Sequence, residues 1–376
     1  MRYIHQLGVW PKFIWDSARL AGTLGEVRNR QGYLLGRMEA LGFSLRAQAQ
    51  LDTLTSEIIK SGEIEGERLP AGQVRSSLAR RLGMNIGGLI PSDRYVDGVV
   101  EMMLDAAGNY NKPLTKDRLF GWQTCLFPAG RSGMRKIVTG VWRDDRHGPM
   151  RVVSGPAGRE RVHFEAPDAV RLGHEMRKFL DWFNGAKDID PVLKAAVAHL
   201  WFVTIHPFED GNGRIARAIA DMQLARADAS AQRFYSMSAQ IRRERSDYYK
   251  AIERAQKNTH SVSAGIDITD WLQWFLACLG RALGATETTL AGVFKKARFW
   301  ERHGGGALNE RQRLMINKLF DGFVGKLTSS KWAKIAKCSQ DTALRDILEL
   351  TTKGILVKDE AGGRSTCYSL KDSASV

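Results

Sequence analysis

Residues 206–217, HPFEDGNGRIAR, constrain this chain more tightly than any other stretch. Pro207 ends whatever helix precedes it, and Gly211-Asn212-Gly213 forms a tight turn. Upstream, Asp190-Pro191 reads as an N-cap followed by proline at the first helical position. The run 192–205 is apolar on nearly every face, as in a buried helix. Downstream, Ile215, Ala218, Ile219, Met222 and Ala225 recur at helical spacing. The pattern predicts helix, glycine loop, helix.

That geometry has a chemical consequence. Backbone N–H groups converge in a glycine-rich turn, and the next helix adds its unpaired donors and positive dipole end. Arg214 and Arg217 share a face of the first turns, so both guanidinium groups can address one anion. Asp210 supplies a hard oxygen suited to Mg²⁺ that is itself bound to phosphates. His206, with an ordinary pKa near neutrality, suits proton removal from an incoming hydroxyl. The stretch reads as a polyphosphate cradle with a general base on its rim.

At 376 residues the chain is long enough for two or three domains. The formal net charge of +15 favours anionic partners or simply keeps the surface solvated. No apolar run approaches a membrane span, and the N-terminus lacks the pattern of a signal peptide, so a cytoplasmic, bacterial setting is expected. Cys125, Cys278, Cys338 and Cys367 stand apart, which suggests neither disulfides nor a zinc site. His5, His147, His163, His174, His199, His260 and His303 show no metal spacing and read as structural.

Along the chain, aromatic residues (Trp10, Phe13, Trp15) open a segment, 1 to about 43, whose remainder reads as helical. A second helix carries Ala47, Leu51, Leu54 and Ile58 on one face and ends at Gly66 as a C-terminal cap. Pro70 opens a helix through Leu78 and Leu82, and Leu114-Thr115 opens another. Residues 150–165 read as a β-hairpin, with Arg151-Val152-Val153 and Arg161-Val162-His163-Phe164 around a Gly-Pro turn. Its free edge could take an extended peptide as an added strand. Pro167 then starts an amphipathic helix through Val170, Met176, Leu180 and Phe183, and residues 268–283 form an apolar helix.

Gly304-Gly305-Gly306 marks a domain boundary. Helices over 311–321, 330–337 and 340–352 follow, the third with Leu344, Ile347, Leu348 and Thr351 on one side. Two short strands, 355–357 and 366–368, flank a turn over 359–364. This is the order of a winged helix, which binds DNA or docks proteins. Asp341, Asp346, Glu349, Asp359 and Glu360 would repel phosphate there.

The 206–217 stretch matches the Fic family motif HPFx[D/E]GNGRxxR at every specified position. The chain resembles a Fic subfamily with a helical N-terminal extension (1–85), a catalytic core (86–300) and a C-terminal winged helix (307–372). The resemblance implies a mainly α fold, a Fic-type helical core with a β-hairpin flap plus a winged helix. It implies transfer of AMP from ATP to a Ser, Thr or Tyr hydroxyl of a target protein, with Mg²⁺. By position, His206 would be the base and Asp210 the metal ligand. Amides of Gly211, Asn212 and Gly213 would cup the α-phosphate, and Arg214 and Arg217 would anchor the β- and γ-phosphates. Tyr248, Tyr249 and Gln256 would lie near the adenine, and the hairpin 150–165 would be the flap where the target docks.

Residues 61–66 also resemble the family's inhibitory motif [S/T]xxxE[G/N], through Ser61, Glu65 and Gly66. The resemblance implies that Glu65 reaches Arg217 as a bidentate pair and occupies the γ-phosphate site. Gly62 weakens that helix by about 1 kcal/mol relative to alanine. Two other functions stay open: removal of AMP or another phosphate-group transfer at the same site, and a nucleotide-sensing DNA-binding regulator. The sequence leaves self-association undecided.

Overall fold

The computed structural model describes residues 2–84, 88–146, 148–156, 158–258, 264–303, 308–320, 323, 325–359 and 366–371. His147, His260, the glycine run 304–306 and the turn residues 360–364, Glu360 among them, lie outside these. The chain divides into two units, Met1–Glu287 and Thr288–Val376. The division falls inside one helix, ahead of the glycine run.

In the first unit β1 (Phe13–Ile14) leads into helices α1 (Ser17–Glu39), α2 (Phe43–Ile64), α3 (Ala71–Arg81), α4 (Arg94–Gly108) and α5 (Lys116–Leu126). The short pair β2 (Arg131–Ser132) and β3 (Arg135–Lys136) follows, then the antiparallel hairpin β4 (Arg151–Ser154) and β5 (Arg161–Glu165). Helices α6 (Leu172–Gly185), α7 (Pro191–Ile205), α8 (Asn212–Asp228), α9 (Met237–Arg243) and α10 (Arg245–Lys257) complete the bundle. β6 (Ile266–Asp267) pairs in parallel with β1, and α11 (Thr269–His303) begins in this unit.

The predicted caps are present. Asp190 accepts from the amides of Val192 and Leu193 with Pro191 behind it, and every residue from 192 to 205 is buried. That makes α7 the axis of the core, with α8 packed against it. Gly66 takes a left-handed φ of 87° after α2, as a capping glycine does. In the hairpin, β4 is exposed throughout, whereas Phe164 of β5 is buried edge-on to Tyr3. One strand is anchored and the other presents an open edge.

Two faces differ from expectation. Val170 lies in a 3-10 turn ahead of α6 and is 92% exposed, because Asp145 caps the amide of Ala169 and delays the helix to Leu172. The apolar helix predicted to end at residue 283 continues to His303. Its internal glycines are not stops, and Arg30 of α1 donates to the carbonyl of Gly280 at 3.1 Å.

The second unit holds α12 (Glu310–Phe320), α13 (Ser329–Ala336), α14 (Gln340–Thr352) and the antiparallel strands β7 (Leu356–Lys358) and β8 (Tyr368–Leu370). Its core gathers Met315, Ile316, Leu327, Trp332, Ile347, Leu350 and Leu356. On α14 the buried stripe is Ala343, Ile347 and Leu350, while Leu344 and Leu348 are 41% and 50% exposed. Asp346 is not a phosphate-facing acid: it is buried and paired with Arg311 at 2.8 Å.

Candidate active site

His206 ends α7 in the left-handed conformation, at φ 52°. This is uncommon for a residue with a side chain, and it is followed by Pro207, which cannot continue the helix. Asn212 closes the loop on itself, donating to the carbonyl of Phe208 at 2.8 Å and accepting its amide at 3.0 Å. Gly211 sits at φ 89°, and a Cβ there would press on Phe127 and Leu126 at about 3 Å, so the position favours glycine. α8 begins at Asn212, which leaves the first amides of the helix open to an anion.

Arg214 and Arg217 are both buried, and both are met by the N-terminal segment. The Nε of Arg217 donates to Ser61 Oγ at 2.9 Å and its Nη2 to the Ser61 carbonyl at 3.0 Å. Glu65 Oε1 lies 2.8 Å from its Nη1. The pair is single rather than bidentate, because Ser61 takes the other donors. It is also poorly aligned as a hydrogen bond, so Nη1 keeps an unmatched hydrogen. A Cβ on Gly213 would overlap Glu65 Oε1, so the last glycine of the loop is what admits that carboxylate.

The sequence reading missed the acid on the other arginine. Glu67 Oε2 meets Arg214 Nη1 at 2.8 Å, and Tyr95 of α4 donates to the same carboxylate while accepting from Arg214 at 2.8 Å. Arg214 also stacks over Phe127 and keeps its Nε unmatched. No local signal marked it, since Glu67 lies 147 positions from Arg214.

Burial draws the imidazole of His206 down to about 4, with Arg143 adding to the effect, while a contact to the Val203 carbonyl, Asp210 and Glu65 oppose it. At neutral pH the ring is therefore uncharged and can accept a proton. Its Nδ1 lies 3.3 Å from the Val203 carbonyl. Asp210 accepts from Ser132 and from the amide of Gly211. It is a lone carboxylate, and no group of three or more metal-ligating side chains occurs among the described residues. A single carboxylate suits a cation carried in on phosphates better than a caged one.

Tyr248 is buried beside Arg217, its hydroxyl 3.1 Å from His199 Nε2, and burial raises its pKa. The Tyr249 hydroxyl donates to the Ile64 carbonyl at 3.3 Å, next to Glu65. Gln256 is buried and braces the last turn of α7 through Thr204 at 3.3 Å. Tyr248 thus lies beside Arg217, Tyr249 beside the segment of Glu65, and Gln256 against the end of α7. The hairpin is held to α10 by His163, whose Nδ1 lies 3.0 Å from Glu253.

By fold and site, this is a helical domain built round a glycine loop that leads into a helix carrying two buried arginines. Residues 113–224 match the Fic/DOC family, and the chain carries a Fic/DOC domain; residues 3–84 match a domain of unknown function, DUF4172. A Culex quinquefasciatus protein named protein adenylyltransferase Fic is 31% identical over 288 residues, 74% of this chain and 50% of that protein. Its Drosophila willistoni namesake is 32% identical over 110 residues, 29% of this chain and 19% of that protein. This chain therefore spans half, or less, of the length of these relatives. A Fic family protein of Desulfovibrio desulfuricans G20 superposes with a TM-score of 0.57 at 19% identity, covering 95% of this chain and 97% of that one. At that identity the likeness is one of fold. Among the described residues no helix is long and apolar enough to cross a membrane.

Proposed function

We propose that the chain is a protein adenylyltransferase that moves AMP from ATP to a hydroxyl of a target protein and is held in check by Glu65. The observation that carries this reading is the pair of buried arginines beside open helix-start amides, with Glu65 Oε1 2.8 Å from Arg217. In the working state the arginines take the β- and γ-phosphates and the amides of 211–213 take charge developing on the α-phosphate. His206 accepts the proton of the target hydroxyl as its oxygen bonds to the α-phosphorus and pyrophosphate leaves. Asp210 is the residue that would hold Mg²⁺, which neutralises phosphate charge when bound. Glu65 competes for the γ-phosphate position and so disfavours the productive posture of ATP. Tyr248, Tyr249 and Gln256 form the nucleoside side, and the open edge of β4 receives the target in extended form.

The second unit has the element order of a winged helix. The outward face of α14, with Leu344, Leu348, Asp341 and Glu349, favours docking to protein over DNA. A cytoplasmic setting follows from the same reading. AMP removal would use the same groups and differs in needing a modified target.

Purified wild type, Glu65→Gly and His206→Ala are incubated with labelled ATP, magnesium and lysate. Strong labelling by the Glu65→Gly form alone is expected. No label in any form, with a salt-sensitive shift of DNA instead, would overturn the reading in favour of a nucleotide-sensing regulator.

A further inference from the structure

We propose that Arg143 is the positioning residue of this site, a single side chain that locks the backbone of the general base to the root of the hairpin. The inference rests on the proposed transfer reaction and deepens it. Arg143 lies in no helix or strand, yet its side chain is wholly buried. Its amide donates to the Pro207 carbonyl at 2.9 Å and its Nε to the His206 carbonyl at 2.8 Å. Nη2 donates to the carbonyl of Pro167, two residues past β5. Nη1 pairs with Asp145 at 2.7 Å, and the other oxygen of Asp145 takes the amide of Ala169 at 2.6 Å.

A guanidinium is stable away from water only where its donors are matched, and here they converge on two short segments. One segment contains the left-handed residue whose ring must meet the target hydroxyl. The other carries the chain out of the hairpin that would present that hydroxyl. The charge matters as well as the geometry. The charged groups acting on the His206 ring are Arg143, Asp210 and Glu65, and Arg143 alone among them disfavours the protonated form. Sequence patterning could not single it out from its neighbours Asp144, Asp145 and Arg146.

The test compares Arg143→Gln, Arg143→Lys and Asp145→Asn in the Glu65→Gly chain. Arg143→Gln is expected to lower kcat about 10²-fold with the KM for ATP within about twofold, as displacement of a reacting group does. Its rate is also expected to fall with acid at a higher pH than that of the parent. Arg143→Lys keeps a charge without the fork, so kcat falls while the acid limb stays near the parent's. Asp145→Asn raises the KM for the protein target. An Arg143→Gln chain with unchanged kcat and acid limb would overturn the proposal, as would a loss confined to ATP affinity. Ring-proton NMR titration of His206 in the wild-type and Arg143→Lys or Arg143→Gln chains reads the same coupling without turnover. Equal titration in both charge states of residue 143 would refute the inference even if no transfer activity is found, whereas an inactive Glu65→Gly parent with a shifted His206 titration would refute only the transfer reaction.

Discussion

At the arginine end of the 206–217 loop, Arg214 and Arg217 are buried against Glu67 and Glu65, two acids from the segment that closes α2. At the histidine end, His206 meets backbone carbonyls and the clamp of Arg143, and no acidic side chain pairs with it among the described contacts. The difference teaches where restraint acts. The groups that would grip phosphate are already engaged by the chain itself, while the group that would take a proton is uncharged and in position. On the proposed reading, control lies in how ATP is seated.

The comparison breaks first if the two ends do not separate kinetically. In the Glu65→Gly chain, His206→Ala should cut transfer by about 10²-fold or more while calorimetric ATP affinity stays put. Arg217→Ala should instead weaken ATP binding about tenfold or more, as loss of a charged phosphate contact does. Equal loss of affinity in both would merge the two ends. A finer test is Glu67→Gln, which leaves Tyr95 in place but removes the charge facing Arg214. ATP affinity should rise several-fold, by about 1 kcal/mol, and more when combined with Glu65→Gly; a fall would make Glu67 an aligner of Arg214 instead.

Acid should also weaken the fold through two buried histidines, one at each end. Burial draws His199 down to about 3 and His206 to about 4, so the unfolded chain takes up protons that the folded chain refuses. Stability is full above the ordinary histidine pKa near 6.5 and is lost as pH falls towards 4. Melting at pH 7 and pH 5 should show a drop of a few degrees, with up to about 2 kcal/mol from each ring. His199→Gln should make that drop smaller.

Much of the loop was legible because local rules agreed there. Asp190-Pro191 could only start a helix, an all-apolar run could only be buried, and Gly211 stands at a positive φ where glycine is needed. The face of α14 was misread because two stripes share Ile347, and only packing decides that Ala343 and Leu350 turn inwards. Glu67, Tyr95 and Arg143 were out of reach for a different reason. Arg214 lies 147 positions from Glu67 in sequence, and no periodicity records a partnership across that distance.

Arg214 Nε has no hydrogen-bond partner, and Arg217 Nη1 has only the poorly aligned carboxylate of Glu65, although both side chains are buried. A small tetrahedral oxyanion that displaced Glu65 or Glu67 would find both guanidinium groups ready to receive it. Sulfate or orthophosphate in an ordinary buffer would then raise the melting point by mass action, so the choice of salt tunes this protein's apparent robustness before a nucleotide is ever added.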